Sequence, residues 1–219
     1  VAAGPGDVRV FSTSFGETFN SNGFEYLRAE QAALAFAPAS PQAYGTTNAL
    51  AVTGGSGTGA VSYAVTAGPG TSVGGTNLAV TAGTGDVVVV ATKAQDDRYF
   101  ATAATATVAA AKADQAIADF LPTNGSAFAA TDAAGLSATA SSGLAVAFAV
   151  GSGPGSISGG TNLTFTGAGE VAVVASQAGD ANWNAAASAT QTFIVAKAPQ
   201  AALAFAPASP QTFGTTNAL

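Results

Sequence analysis

The chain repeats a stretch of its own sequence with hardly any change. Residues 31–50 read QAALAFAPASPQAYGTTNAL, and residues 200–219 read QAALAFAPASPQTFGTTNAL. The two copies differ only at Ala43/Thr212 and Tyr44/Phe213, and their starts at 31 and 200 give a period of 169 residues. Self-similarity at a fixed period is the signature of a chain built as an array of like units.

A second, weaker similarity halves this period. Residues 62–83 match residues 147–169, and residues 85–103 match residues 169–187. Two related units of about 85 residues therefore alternate along the chain. The start of the chain fits the same scheme, because GPGDVRVFSTSFGETFN resembles the stretch that begins at residue 167. The sequence predicts four parts: 1–30, the C-terminal part of a preceding unit; 31–112 and 113–197, two complete units; and 198–219, the first strands of a following unit.

Each unit is predicted to consist of β-strands. Apolar residues alternate with others at Val61, Tyr63 and Val65, which is the period of a strand with one buried face. Clusters of Gly, Pro, Asn and Ser interrupt the strands at the short intervals typical of sandwiches. In the second complete unit the predicted strands are 116–121, 134–141, 145–151, 155–158, 162–166, 170–177 and 189–197. Seven strands in about 85 residues suit an immunoglobulin-like fold. The predicted class is all-β, with tandem immunoglobulin-like β-sandwich domains arranged end to end.

The same alternation predicts which side chains point inward. In the first complete unit these are Leu34, Phe36, Leu50, Val61, Tyr63, Val65, Leu78 and Val88. In the second they are Leu136, Val146, Phe148, Val150, Leu163, Val173 and Phe193. Tyr99 and Trp183 occupy matched positions of the two units, and we expect them to cap the end of each core.

The residue types exclude several classes of function. The chain has no cysteine and no histidine, which rules out disulfides, thiol chemistry and a nucleophile activated by histidine. Its six lysines and arginines are scattered among twelve acids, so no basic patch for nucleic acid is present. No apolar run reaches the length of about 18 residues that a membrane span needs. We therefore expect a protein that is not an enzyme and has no cofactor.

One loop carries oxygen ligands at a spacing suited to calcium. Asp180, Asn182 and Asn184 stand two residues apart, as at the start of a calcium-binding loop. The glycine that normally follows is missing, and Gln191 stands where the closing glutamate is expected. The alternative is a turn between the last two strands, in which the Asp and Asn side chains bond to the backbone. We expect no metal, with these three residues as the candidate ligands if one binds.

The second complete unit resembles a known family of bacterial repeats. The run GAGEVAVVASQAGDANWNAA, preceded by LSATASSGLAVAFAVGSGPGSISGGTNLTFTG and followed by FIVAKA, is similar to bacterial immunoglobulin-like tandem repeats of large secreted and outer-surface proteins. It is most similar to the mostly-β repeats of adhesin-like proteins of Gram-negative bacteria. The resemblance covers residues 115–197 well and residues 31–112 less closely. It implies an extracellular location at the cell surface and a role as stalk, spacer or adhesive module.

Two functions from different classes remain open. The first is a non-catalytic structural protein that forms a stalk, sheath or filament, whose partners are copies of itself or further repeats of the same array. The second is an adhesin module that binds a surface glycan or protein through its strand-connecting loops. Leu203 and Phe205 repeat the inward positions of Leu34 and Phe36, so we expect them to belong to an assembly strand. Either the polypeptide continues beyond this strand, or the strand is donated to another subunit by β-augmentation.

Overall fold

The structure is a computed structural model that describes residues 4–12, 14, 16–203 and 213–214. Every regular element in these residues is a β-strand, so the predicted all-β class is confirmed. Nowhere in the described part of the chain is there a helix long and apolar enough to cross a membrane. The chain divides into two compact units, and each is described by itself.

The first compact unit comprises the residues up to Ala116 together with Ala140–Leu144 and Gln177–Ala187. Its strands are β1 Gly4–Ser12, β2 Gly16–Tyr26, β3 Leu34–Ala35, β4 Gln42–Ala43, β5 Thr47–Ala49, β6 Thr53–Gly54, β7 Val61–Ala67, β8 Gly70–Val73, β9 Asn77–Val80, β10 Asp86–Lys93 and β11 Thr102–Ala111. Strands β1 and β2 form an antiparallel ribbon. Strands β3 to β11, which we call the first sandwich, form the sheets β4-β11-β10-β7, β5-β9-β8 and β3-β6.

The strand order of the first sandwich is that of an immunoglobulin-like domain. Its opening segment is shared between the two faces, because β3 pairs antiparallel with β6 and β4 pairs parallel with β11. The last two strands, β10 and β11, pair from Asp86↔Ala109 to Lys93↔Thr102. The valines of β10 suit this central position, since β-branched side chains pack well on a pleated surface.

The core of the first sandwich is mainly aliphatic. Its buried residues are Leu50, Leu78, Val87, Val89 and Val108, with Phe36, Tyr63 and Val65 packed against them. Removing an aliphatic side chain of this size from water stabilises the fold by about 1.5–3 kcal/mol. Most predicted inward positions of this sandwich are confirmed, because each is buried in this core or packs against it: Phe36, Leu50, Tyr63, Val65 and Leu78. Leu34 is half-buried in the short strand β3, and its inward position stays a prediction.

Two predicted core positions of the first sandwich are wrong. Val61 is 41% exposed, because it stands at the start of the edge strand β7, opposite Lys93. Val88 is only half-buried, whereas Val87 and Val89 on either side of it are fully buried. A run of consecutive valines has no alternation that would reveal which face of the strand points inward.

The second compact unit comprises Ile117–Thr139, Ala145–Ser176 and the residues from Ser188 onward. The strands that follow β11 are β12 Ile117–Leu121, β13 Ala127–Ala129, β14 Ala133–Gly135, β15 Ser137–Ala140, β16 Ala147–Ser152, β17 Gly155–Ser158, β18 Asn162–Phe165, β19 Gly169–Ser176 and β20 Ala189–Ala196. We call them the second sandwich. Their sheets, β13-β20-β19-β16, β14-β18-β17 and β12-β15, repeat the order of the first sandwich. The predicted immunoglobulin-like sandwich fold is confirmed by this strand order.

The core of the second sandwich is richer in aromatic side chains. Its buried residues are Phe120, Ala134, Leu136, Leu163, Phe165, Val171, Val173, Ala175, Phe193 and Val195. The rings of Phe128 and Phe193 meet edge-on with centroids 5.8 Å apart, and those of Phe120 and Phe148 lie 5.5 Å apart. All seven predicted inward residues of this sandwich are confirmed, because each is buried or packs against this cluster: Leu136, Val146, Phe148, Val150, Leu163, Val173 and Phe193.

A Gly-Pro-Gly turn stands at the same place in both sandwiches. Gly68 precedes β8 and Gly153 precedes β17, with φ angles of 88° and 90°, a backbone conformation that favours glycine. A Cβ atom at these positions would collide with the carbonyl oxygen of Asp86 or Glu170 on the neighbouring strand. The turn therefore lets the chain leave one sheet for the other while remaining in close contact with the strand beside it.

The predicted borders of the complete units, at residues 112/113 and 197/198, stay predictions. In sequence, the strands of the first sandwich all come before the border at 112/113, and those of the second sandwich all come after it. The compact units divide the chain differently, because Ala140–Leu144 and Gln177–Ala187 group with the first unit.

Candidate functional site: two docked linkers

Two connecting segments are hydrogen-bonded to loops. Arg28–Gln31 leads from β2 towards β3 and lies on the loop Ala94–Phe100, between β10 and β11. Lys112–Gln115 leads from β11 to β12 and lies on the loop Gln177–Asn184, between β19 and β20. We call these pairs the first and the second docked linker. All four segments belong to the first compact unit.

The backbone of the first docked linker forms a short parallel bridge. Ala29 pairs with Tyr99. The N–H of Ala29 donates to the carbonyl of Arg98 at 2.8 Å, and the N–H of Phe100 donates to the carbonyl of Ala29 at 3.0 Å. Each hydrogen bond of this kind contributes about 0.5–1.5 kcal/mol, so the bridge holds the segment in place by a small but definite amount.

Two side chains strengthen the first docked linker. Arg28 Nε donates to the carbonyl oxygen of Asp96 at 2.8 Å. Gln31 Nε2 donates to the carbonyl oxygen of Phe100 at 2.7 Å and to that of Ala94 at 3.1 Å. Both side chains bind backbone carbonyls, so the contact depends on the path of the loop more than on its side chains.

The second docked linker repeats these contacts, with Ala113 bridged to Trp183 as Ala29 is to Tyr99. Its hydrogen bonds are Ala113 N–H to Asn182 O at 2.9 Å, Asn184 N–H to Ala113 O at 2.9 Å, Lys112 Nζ to Asp180 O at 2.6 Å and Gln115 Nε2 to Asn184 O at 2.6 Å. The two segments read R-A-E-Q and K-A-D-Q, and their basic residue, alanine and glutamine make the same contacts in both docked linkers. Sequence reasoning missed this site, although the four-residue pattern at residues 28 and 112 was a visible signal.

An aspartate closes each loop. Asp96 Oδ1 accepts the backbone N–H groups of Arg98 and Tyr99, both at 2.9 Å, and Oδ2 accepts the N–H of Thr58 at 2.6 Å. The N–H of Arg98, followed by that of Thr58, lowers the pKa of the Asp96 carboxyl to about 2. A carboxylate held ionised by backbone donors organises a loop and is poorly matched to proton transfer near neutral pH.

The three candidate calcium ligands take part in the second docked linker. Asp180 Oδ1 accepts the backbone N–H groups of Asn182 and Trp183, both at 2.8 Å. Asn182 Oδ1 accepts the N–H of Gly83 at 2.9 Å, and Asn184 Nδ2 donates to Asp114 Oδ1 at 2.8 Å. The contacts of Asp180 are those of the backbone-bonded turn that the sequence leaves open as the alternative to a calcium loop, whereas Asn182 and Asn184 bind groups outside the turn. No group of three or more acidic side chains suited to a metal occurs among the described residues.

Tyr99 and Trp183, the matched aromatic residues of the two loops, are half-buried and have different partners. Tyr99 lies against Gly57, where an added Cβ would come within 2.8 Å of the ring. Trp183 meets the ring of Tyr44 edge-on, with centroids 5.7 Å apart and an interplanar angle of 83°. Among the described residues, neither ring is one of the side chains packed against the buried cores. The expected capping of the cores is therefore replaced by packing at the docked linkers.

A cleft of about 540 Å³ opens beside the first docked linker. It is lined by Gly57, Thr58, Asp96, Asp97, Arg98 and Tyr99. The carboxylate of Asp96 is held by the protein itself, whereas the side chains of Asp97 and Arg98 are exposed. The cleft is therefore a shallow polar surface feature with one charge of each sign available to solvent.

The predicted assembly strand is only partly described. Leu203 is 100% exposed, and Phe205 lies outside the described residues. Within the described part of the chain, no backbone hydrogen bond or β-bridge joins Leu203 to either docked linker.

No protein-family model and no curated protein matches this chain. Among solved structures, it is similar to the insect immune protein hemolin, at 10% identity and a TM-score of 0.36 over 73% of this chain and 45% of that one. It is also similar to the fibronectin(III)-like modules of CbhA from Clostridium thermocellum, at 15% identity and a TM-score of 0.29 over 75% of this chain and 95% of that one. It is similar as well to EC1-3 of Drosophila N-cadherin, at 11% identity and a TM-score of 0.30 over 79% of this chain and 63% of that one. The chain spans less than half the hemolin structure, and the fold assignment rests on the strand order alone.

Proposed function

We propose that this protein is a non-catalytic, extracellular structural protein: a stalk, sheath or filament of tandem immunoglobulin-like sandwiches on a bacterial cell surface. The observation that carries the proposal is that both connecting segments are docked by the same hydrogen bonds, with Ala29 and Ala113 as the bridging residues. A short free linker would act as a hinge, whereas a docked one has few bonds left to rotate. Repeats joined in this way suit a stiff rod better than a string of independent modules.

The residue chemistry supports a non-catalytic role. The whole sequence has no histidine, the most frequent general base, and no cysteine, an intrinsically strong nucleophile. Asp96 faces a cleft, but its pKa is lowered by backbone donors, which suits a structural carboxylate. The cell-surface location is supported by the resemblance of residues 115–197 to bacterial surface repeats.

The proposal is tested by freeing the second docked linker. Ala113→Pro removes the N–H that donates to Asn182 at 2.9 Å. The chain has no cysteine, so Ser62→Cys and Ser152→Cys, both exposed, can carry one spin label on each sandwich. We expect a narrow distribution of label distances for the parent protein and a clearly broader one for the Ala113→Pro variant, measured by electron–electron double resonance.

Asp114→Pro is the matched control, because it removes the side-chain contact with Asn184 but keeps the four hydrogen bonds that Lys112, Ala113 and Gln115 make with the loop. The third connecting segment, which begins at Lys197, carries Pro199 at the equivalent position, so a proline there is compatible with this type of segment. We expect its label distances to stay narrow. Equal widths for the parent and for Ala113→Pro would show that docking does not restrict the repeats, and the rod proposal would fail.

The alternative is an adhesin module that binds a glycan or a protein through its loops. The observation in its favour is the cleft beside Asp96, with Asp97 and Arg98 exposed at its edge. A screen of glycans and surface proteins against the parent and an Arg98→Ala variant distinguishes the two functions. A ligand bound by the parent and lost in the variant would favour the adhesin.

A further inference from the structure

Residues 31–50 form the opening segment of the first sandwich, and residues 200–219 repeat them at all but two positions. Most of the groups that hold residues 31–50 lie in the rest of the first sandwich, and the ring of Tyr44 packs on that of Trp183. The contacts are Gln31 with the Phe100 carbonyl, Leu34 paired with Gly54, Phe36 against the Tyr63 ring at 5.7 Å, Gln42 paired with Ala110, and Leu50 in the buried core. Residues 53–111 therefore form a surface that recognises this 20-residue sequence.

The two differing positions are compatible with the same surface. Ala43 is half-buried in β4, where it pairs with Ala111 through the backbone. The threonine of the second copy keeps that backbone and has a β-branched side chain that favours strands. Tyr44 contacts the ring of Trp183 through its own ring, and Phe213 of the second copy is also an aromatic residue. The second copy thus has side chains of the kind needed to make each contact described above.

We propose that residues 200–219 of a second copy of this chain can replace residues 31–50 in the first sandwich, which joins the two copies head to tail. The exchange makes and breaks equivalent contacts, so contact energy does not decide it. The segment within the chain has an effective concentration on the order of millimolar, and it therefore wins at ordinary protein concentrations. Exchange becomes dominant when the internal segment is weakened, which is the logic of domain swapping.

The inference rests on the proposed structural role, since it names the partner through which copies would assemble. The two can fail separately. Phe36 and Phe205 are not part of either docked linker, so a failed exchange would leave the label distances described above unaffected.

Substitutions in one or both copies of the segment test the exchange. Phe36→Asp places an unpaired carboxylate against the core beside Tyr63, which is unfavourable. We expect Phe36→Asp to form concentration-dependent oligomers by light scattering, because the intact segment of another molecule takes its place. The matched variants Phe205→Asp and Phe36→Asp/Phe205→Asp should stay monomeric, since neither combines a vacated surface with an intact donor.

Oligomers of equal size in the single Phe36→Asp variant and in the double variant would overturn the proposal, because the double variant has no intact donor. A monomeric Phe36→Asp variant over the same concentrations would also overturn it. If Phe36→Asp prevents folding, the same comparison is made with Leu34→Ala and Leu203→Ala, which remove less apolar contact from the two copies.

A labelled peptide gives a second, independent measurement. The peptide with the sequence of residues 200–219 should bind the double variant saturably by fluorescence anisotropy. The same peptide with Phe205→Asp should not bind, and neither peptide should bind the parent protein, whose surface is occupied by residues 31–50. Equal binding of both peptides, or binding of neither to the double variant, would contradict the exchange.

Discussion

The two sandwiches share a strand order and differ in how they fill it. The first has a core of leucines and valines, with Val108 fully buried in its last strand. The second has Phe193 at the matching place in β20, where it meets the ring of Phe128 and shares its core with Phe120 and Phe165. Sheet order is set by the alternation of apolar residues and by the turns, which both sandwiches keep. The identity of the buried side chains sets how much each core is stabilised.

Their loops differ in a similar way. Asp96 accepts hydrogen bonds from its own loop and from Thr58 in another loop of the same sandwich. Asp180 accepts from its own loop, and the neighbouring Trp183 packs on Tyr44. The docking contacts of the linkers are the same in both. The repeated part of the molecule is therefore the backbone contact between linker and loop, whereas the surrounding side chains vary.

The largest expected effect concerns the two cores. Phe193→Ala should destabilise the second sandwich by about 3–5 kcal/mol, because it removes a fully buried ring and leaves a cavity. Val108→Ala, the matched change in the first sandwich, should cost only about 2 kcal/mol, because two methyl groups are lost. The measurement is amide hydrogen exchange in β19 and β20 compared with β10 and β11, which reports each sandwich separately. Equal losses would show that the two cores do not differ as their compositions indicate.

Much of this architecture could be predicted from the sequence because it repeats. Strand β18 spans Asn162–Phe165, one residue shorter than predicted. Strand β13, Ala127–Ala129, was not predicted, because its parallel pairing with β20 is a tertiary contact that leaves no alternation in three residues. The wrong assignment of Val88 has the same origin, since consecutive apolar residues hide the inward face of a strand.

The docked linkers were harder to predict than the strands. Arg28 and Gln31 bind backbone carbonyls of the loop, so the loop needs no particular side chain to receive them. The D-x-N-x-N spacing at Asp180 is also that of the first oxygen ligands of a calcium loop. In the structure its first carboxylate oxygen binds backbone N–H groups, which any residues could supply. Sequence motifs mark side chains, and this site is made mostly of backbone.

A smaller effect is expected from pH at the first docked linker. The pKa of the Asp96 carboxyl is lowered from 3.8 to about 2, chiefly by the Arg98 N–H and then by that of Thr58. A group whose folded pKa is lowered stabilises the fold above its unfolded pKa, and that contribution is lost as pH falls through the folded value. We expect the loop Ala94–Phe100 to remain ordered at pH 4 and to loosen near pH 2.

The amide proton shifts of Thr58, Arg98 and Tyr99, followed by NMR from about pH 5 to about pH 1.5, measure this transition. Their common midpoint should lie near 2, the lowered pKa. Asp96→Asn is the control, because it keeps the shape and removes the titrating group. A midpoint near 4 would mean that the backbone donors do not hold the carboxylate, and the contrast between the two loops would weaken.

The smallest expected effect is that of calcium, which bears on the equivalence of the two loops. The first loop has Arg98 where the second has Asn182, so only the second has three oxygen-bearing side chains at calcium spacing. We expect the melting temperature after chelation to change by less than about 1 °C on addition of millimolar calcium, since a ligand stabilises a fold only by binding it. The reason is that Asp180 Oδ1 and Asn182 Oδ1 already accept backbone N–H groups. A rise of the melting temperature by several degrees that disappears in Asp180→Asn would identify a calcium site. Calcium would then stabilise the second docked linker and not the first.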